Sequence, residues 1–181
     1  NVGWSWEDVL PYFKKSEDNQ EGEDNFHGVG GPLKVEKMRA SFKVLDLFME
    51  AAEEFGYHKT SDFNTGNNEG MGYFPLNVKN GFRCSSAVGY LNPIKKRKNL
   101  KILTNAHIKN IEFENRKAIS VNFWKNNQLL NVKTNKEIIL SAGTIGSPHI
   151  LQASGIGPGA LLKKNNINIV KDHPSVGKNL M

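Results

Sequence analysis

Residues 137–157 constrain the fold more than any other part of this chain. They read Glu137-Ile138-Ile139-Leu140-Ser141-Ala142, then Gly143-Thr144-Ile145-Gly146-Ser147-Pro148-His149-Ile150-Leu151-Gln152-Ala153-Ser154-Gly155-Ile156-Gly157. The first six form an apolar run of the length of a buried strand. Small residues then make a turn. Ser147 can cap a helix, and Pro148 suits its first turn, where a missing N–H costs nothing. Gly155 and Gly157 end that helix. A strand, a side-chain-poor turn and a helix N-terminus let backbone approach a ligand closely and aim N–H groups at its oxygens. Tight strand–helix packing with no ligand explains the same small residues.

Local signals place the other elements. Ser5 with Asp8 three residues on reads as a capping box, opening a helix through Phe13. Residues 16–29 are polar and Gly-containing, hence loop, and Pro32-Leu33-Lys34-Val35-Glu36 alternates like a strand. Ser41 is the expected cap of a helix in which Val44, Phe48, Ala51 and Phe55 recur at helical steps until Gly56. Residues 62–72 read as a loop and 73–77 as a short strand. After the Asn80-Gly81 turn, Ser85 can cap a helix through Tyr90 and Leu91. From Leu100 the spacing predicts strands over 100–103, 108–113, 118–123 and 129–132. Asn115-Arg116 and Asn126-Asn127 serve as tight turns between the last three. This meander leads into the apolar run at 137–141. A short helix over 160–164 and a strand over 167–170 follow.

Bulk properties narrow the function classes. The formal net charge is +6, but only four of the 24 basic residues are Arg, and Lys often stands beside Asn, as in Lys95-Lys96-Arg97-Lys98-Asn99. Arg is the residue suited to bidentate phosphate contacts. The aromatics are not interleaved with basic residues as a base-stacking surface needs, so no nucleic-acid partner is expected. The single cysteine, Cys84, rules out an internal disulfide framework and fits a reducing compartment. No run approaches the roughly 18 apolar residues of a membrane span. No Cys/His or carboxylate cluster has metal-ligand spacing.

Four segments together resemble the glucose–methanol–choline (GMC) family of flavin oxidoreductases. Residues 143–157 match its second signature nearly position for position. Gly3-Trp4-Ser5-Trp6-Glu7-Asp8-Val9-Leu10-Pro11-Tyr12-Phe13 is similar to the family's "GWSxxDVLPYFxxxE" segment. Asn80-Gly81-Phe82-Arg83-Cys84-Ser85-Ser86-Ala87-Val88-Gly89-Tyr90-Leu91-Asn92-Pro93 is similar to "NGxRxSsAxxYLxP", and Pro174-Ser175-Val176-Gly177-Lys178-Asn179-Leu180 to "PGVGxNLxDH". The resemblance covers essentially the whole chain, and the run from Arg83 to Thr104 looks closer to bacterial alcohol and choline dehydrogenases than to fungal sugar oxidases.

The resemblance implies an α/β (mixed α+β) fold, a fragment of the two-domain GMC architecture. Residues 14–83, with a lead-in helix over 5–13, would belong to the substrate-binding domain. Residues 84–181 would belong to the FAD-binding domain, with the strand meander over 100–141 and the signature strand–turn–helix over 137–157. The implied cofactor is FAD and the implied reaction is oxidation of an alcohol, with hydride passing from its C–OH carbon to flavin N5. The implied partners are a small alcohol, choline or a primary alcohol, and an electron acceptor such as a quinone, a dye-like carrier or O2. An oxidase, a hydroxynitrile lyase that keeps FAD without redox use, and an inactive gene fragment remain alternatives. A cytoplasmic or peripherally membrane-associated location is favoured.

In the family's layout the GxGxxG turn and the flavin-covering segment precede Asn1, and the catalytic His region follows Met181, so no residue here is assigned a catalytic role. The chain alone is expected neither to hold FAD tightly nor to turn over. The resemblance does imply cofactor-binding positions. Thr104-Asn105-Ala106-His107-Ile108 matches a strand that lies along the adenine, which puts Ile108 there, unless it is simply a core strand residue. Ser141, Ala142 and Gly143 match the "SAG" beside the ADP ribose and phosphates, unless their smallness serves packing. Among the histidines, His27 and His58 read as solvated, His107 as a strand residue, and His149 and His173 as non-catalytic. Arg83 reads as a substrate or cofactor contact or, more simply, a structural ion pair. Cys84 reads as inert packing. Residues 62–68 either border a substrate pocket or form a plain surface loop.

Overall fold

A computed structural model describes residues 2–180, which divide into two compact units, one ending at Lys101 and the other beginning at Ile102. Residues 84–101 pack within the first unit.

The first unit opens with α1 (Trp6–Ser16). Its capping box is formed as expected: the Ser5 hydroxyl accepts from the Asp8 N–H at 3.4 Å, and the Asp8 carboxylate accepts from the Ser5 N–H at 3.2 Å. The helix runs one turn past Phe13, and the chain passes directly into β1 (Glu17–Asn19), which pairs in parallel with β2 (Leu33–Val35). Next comes α2 (Lys43–Glu54), followed by Gly56 at φ +99° as its stop. Its start differs from the expectation. Phe42, not Ser41, holds the N-cap position and makes no side-chain cap. The Tyr73 hydroxyl does that work from a distance, accepting from the Phe42 N–H at 3.2 Å and donating to Asp46 Oδ1 at 2.7 Å.

The strand expected over 73–77 reduces to a single bridge between Leu76 and Glu36. The ladder lies one step later, in the hairpin of β3 (Val78–Lys79) and β4 (Phe82–Arg83) around Asn80 and Gly81, both at positive φ. The Ser85 hydroxyl accepts from the Val88 N–H at 3.4 Å, but the turn it caps, Ala87–Leu91, is wound as a π-helix.

The second unit is built on an antiparallel meander of β5 (His107–Glu114), β6 (Lys117–Lys125) and β7 (Gln128–Lys133). Both connections are two-residue turns, with all four of their residues, Asn115, Arg116, Asn126 and Asn127, at positive φ. That is the type I′ pattern that Asn tolerates. Three expected strands are not formed. Residues 100–103 and 167–170 are irregular, and the short parallel pair is instead β8 (Ile156–Gly157) with β9 (Lys171–Asp172), flanking α4 (Gly159–Lys164). The apolar run 137–141 is also without a ladder, and Ile139 is 79% exposed. A strand is stable only with a neighbour to take its backbone hydrogen bonds. Among the described residues no strand pairs with it, although β5 and β7 each keep an unpaired edge.

The signature helix is α3 (Gly143–Ala153), and it begins four residues before the expected Ser147 cap. Pro148 therefore lies inside it. At its far end Gly155 adopts φ +89°, and a Cβ there would stand 2.3 Å from the Asn168 carbonyl, so only glycine fits. Buried hydrophobic residues are few: Cys84 in the first unit and Ile111, Phe123 and Leu162 in the second. Large apolar side chains such as Trp4, Phe48 and Phe55 are mostly exposed. Apolar surface on this scale marks faces that meet other protein or ligand.

Candidate functional site

The sequence puts its cofactor-binding candidates on β5 (Ile108) and at the start of α3 (Ser141, Ala142 and Gly143), and the structure packs these two elements together by the far end of the helix. Ile108 is half-buried on β5 opposite Phe123 of β6, just before a bulge that shifts the register between Ile108 and Asn110. One side of β5 is used by β6. On the other, the buried Ile111 N–H donates to the Ser154 hydroxyl at 2.8 Å, and that hydroxyl donates onward to the Ile150 carbonyl at 2.6 Å. Ser154, at the C-cap of α3, thus replaces a missing strand partner and fastens helix to sheet.

At the other end of α3, Ser141, Ala142 and Gly143 are all exposed. Gly143 has φ +80°, and a Cβ built on it would meet nothing within 4 Å. Its smallness is explained by backbone conformation rather than by crowding. Gly146 is different: a Cβ there would come to 3.1 Å from the Ala142 methyl. The Ser147 hydroxyl accepts from the Ala142 N–H at 3.0 Å, so the expected cap acts from inside the helix, five residues past the N–H it serves. The amides of Gly143, Thr144 and Ile145 have no acceptor within the helix, as at any helix start. They leave the positive end of the helix dipole open beside Ser141 and Ala142.

Along the same helix runs a groove of ≈ 560 Å³ between Thr144, Ile145, Pro148, His149 and Gln152 on one side and Gly177 to Leu180 on the other. Gln152 closes its inner edge by donating to the Val176 carbonyl at 3.1 Å. Two of the four segments that carry the resemblance, 143–157 and 174–180, are therefore in contact. His149 lines this groove as an exposed side chain. His107 and His173 are exposed as well.

Sequence reasoning missed two polar clusters. On one face of the meander, Glu112 accepts from the Ser120 hydroxyl, from Asn122 Nδ2 at 2.8 Å and from Asn131 Nδ2 at 3.2 Å. The Ser120 hydroxyl and then Asn122 hold the Glu112 carboxyl below its ordinary value against partial burial, helped by Asn131 and Lys133. The alternation of Asn110, Glu112, Ser120, Asn122 and Asn131 along three strands was a readable signal, because such positions share a face.

The second cluster, in the first unit, corrects a reading. His27 is not solvated but 7% exposed, held between Glu17 and Asp62. His58 is exposed, as read. Arg83 is exposed on β4, and its expected ion pair is not formed among the described residues. Cys84 is buried, with its thiol 3.6 Å from the Pro32 carbonyl. No helix of the described residues is long and apolar enough to cross a membrane.

Comparison with known proteins bears on the family and the fold. Residues 1–181 match the family described as GMC oxidoreductase. The chain is 38% identical over 178 residues to an oxygen-dependent choline dehydrogenase of Brucella ovis, covering 98% of this chain. It is 40% identical over 179 residues, again 98% of this chain, to one of Pectobacterium atrosepticum. It spans 32% of the length of each. Among solved structures, pyridoxine 4-oxidase from Mesorbium loti superposes with a TM-score of 0.89 at 30% identity, covering 97% of this chain and 35% of that one. An FAD-dependent oxidoreductase from Chaetomium thermophilum superposes with a TM-score of 0.86 at 30% identity, covering 97% and 33%. With its α/β fold shared with these structures and its full length matched, the chain belongs to the GMC oxidoreductase family.

Proposed function

We propose that the protein carrying this chain is an FAD-dependent oxidoreductase acting on the CH–OH group of choline or a primary alcohol, which it converts to the aldehyde. The observation that carries this reading is 38% identity over 178 residues with an oxygen-dependent choline dehydrogenase. In that reading residues 14–83, with the lead-in helix, contribute to the substrate-binding domain and residues 84–181 to the FAD-binding domain.

The residues of this chain suit a nucleotide. Ser141, Ala142 and Gly143 are exposed and small, with open space at the Gly143 Cα. The positive start of α3 adjoins them, which favours phosphate oxygens. Ile108 offers a β-strand backbone one bulge away from the point where Ser154 pins β5 to α3. These four residues would hold the adenosine and diphosphate end. FAD, when bound, supplies the hydride acceptor. The work of this chain is to orient the cofactor: Ser154 fixes the distance between strand and helix, and Gly143 sets the direction in which the first-turn amides point. No side chain here is given a proton-transfer role. The electron acceptor is a quinone, a dye-like carrier or O2, and the location is the cytoplasm or a membrane surface.

The test uses the full-length protein, purified and desalted. Its flavin spectrum is recorded, and turnover is measured with choline, primary alcohols and pyridoxine, using a dye acceptor and then O2. The proposal expects a stoichiometric flavin and turnover of choline or a primary alcohol. A colourless protein, or a flavoprotein that reduces with none of these alcohols, would refute it.

A further inference from the structure

His27 lies between two carboxylates, one at each ring nitrogen. Nδ1 lies 3.1 and 3.2 Å from the two oxygens of Glu17, and Nε2 lies 3.0 Å from Asp62 Oδ2. Nε2 makes its approach off the N–H direction, so that contact is one of charge rather than an aligned hydrogen bond. A neutral imidazole carries one N–H and one lone pair. Whichever nitrogen kept the proton, the other would turn its lone pair toward a carboxylate in a side chain only 9% exposed. Only the imidazolium, a donor at both nitrogens, suits both neighbours.

The surroundings are arranged for that cation. Glu17 faces it from β1, Asp24 from the turn before it and Asp62 from the opposite loop. Asp24 also fixes the backbone, accepting from the His27 N–H at 2.7 Å. The nearby cations are engaged elsewhere: Lys14 binds the Asp24 carbonyl and Glu23, and Lys37 binds Glu21. Asn19 Nδ2 donates to Glu17 Oε1 at 3.1 Å and lies 3.0 Å from Nδ1, where it alone favours a bare nitrogen; one neutral amide is set there against three carboxylates. Burial disfavours the charged ring, but the Glu17 hydrogen bond and the fields of Glu17, Asp62 and Asp24 outweigh it and raise the His27 pKa above its ordinary value.

We propose that His27, clasped as an imidazolium between Glu17 and Asp62, is a pH-operated latch that holds the 60–70 loop onto the β1 turn. Its other holds are uncharged: the Phe63 ring packs on Phe74 with centroids 4.7 Å apart, and the Thr60 hydroxyl donates to the Asp62 carbonyl at 2.8 Å. At its base the Thr60 N–H donates to the Met71 carbonyl at 2.9 Å and the Met71 N–H to the His58 carbonyl at 3.0 Å, while Asp62 Oδ1 and Asn67 Oδ1 brace adjacent loop amides. The Phe26 ring, whose nearest atoms would lie 3.4 Å from a Cβ at Gly66, adds an apolar contact. The Asp62 pair is the only ion pair the loop makes among the described residues. With the pKa higher in the latched state than in the open one, the latch is at full strength below the ordinary histidine value. It is lost as pH rises through the raised value.

Hydrogen exchange of the full-length protein tests this, following the peptide that spans residues 60–72 from pH 5 to 9 with rates corrected for intrinsic chemistry. Exchange should be slow at low pH and accelerate across one titration, about tenfold for each unit by which the latch raises the pKa. Asp62→Asn keeps an acceptor for the Asn64 amide but removes the charge, and should move the transition to lower pH. His27→Gln should abolish it. Loop protection that does not vary with pH, or a transition that Asp62→Asn leaves in place, would overturn the latch. Should the His27 variant fail to fold, the Asp62 variant decides alone.

Discussion

Replacing Ser154 with alanine removes one oxygen atom and tests how α3 is fastened to β5. In the structure that oxygen is the acceptor for the Ile111 N–H at 2.8 Å, and Ile111 is 6% exposed. Without it a buried amide on the open side of β5 has no partner, which costs about 1–3 kcal/mol. No second penalty arises. The Ile150 carbonyl, which loses the Ser154 hydroxyl as donor, keeps the Ser154 backbone N–H at 3.0 Å. The loss is therefore that of one buried donor, and it acts locally. Hydrogen exchange at the Ile111 amide is the assay, comparing wild type and Ser154→Ala in the full-length protein. The expected acceleration is roughly 5- to 150-fold, the range that follows from about 1–3 kcal/mol. Because β5 carries Ile108, flavin retention should weaken in parallel. Exchange at Ile111 unchanged within twofold would refute the idea that this hydroxyl stands in for a strand partner.

Two further outcomes follow from local geometry. Arg116 adopts φ +65° in the turn between β5 and β6. Arg116→Gly relieves a left-handed strain of about 1–2 kcal/mol and creates the favoured Asn-Gly pair, so denaturant unfolding should shift toward higher stability despite the added freedom of the unfolded chain. Glu112 has its pKa lowered by Ser120, Asn122 and Asn131 in the folded state. A carboxylate of this kind stabilises above its unfolded pKa and loses that contribution as pH falls through the folded value. Glu112→Gln should accordingly flatten the acid limb of a stability–pH curve while lowering the plateau near neutrality. An acid limb identical to wild type would show that the carboxylate is not what the network depends on.

The residues that read correctly and those that did not differ in the range of the interaction involved. The Ser5–Asp8 box, the Gly56 stop, the Asn-rich turns of the meander and the Gly155 terminus depend on neighbours within a few positions. A sequence displays those directly. Ser41 failed as a cap because Tyr73, 31 positions beyond Phe42, supplies the hydroxyl instead. His27 was read as solvated because its polar flanks suggested a surface turn; Glu17 and Asp62 instead enclose its ring, while Asp24 holds its backbone N–H. The 137–141 run has the composition of a buried strand, yet composition cannot provide the neighbouring strand that makes one.

What the order of residues determined unaided is the family, the meander with its two turns, and the helix that stops before Gly155. Each follows from backbone conformational preference or from motif length. Tertiary structure alone decided that Ser154 would complete the outer edge of β5 and that α3 would begin at Gly143 rather than Ser147. It also decided that an ordinary-looking histidine would sit between two carboxylates. These outcomes rest on hydrogen-bond partners and charges brought together from distant positions, and their strength depends on the burial that only folding creates.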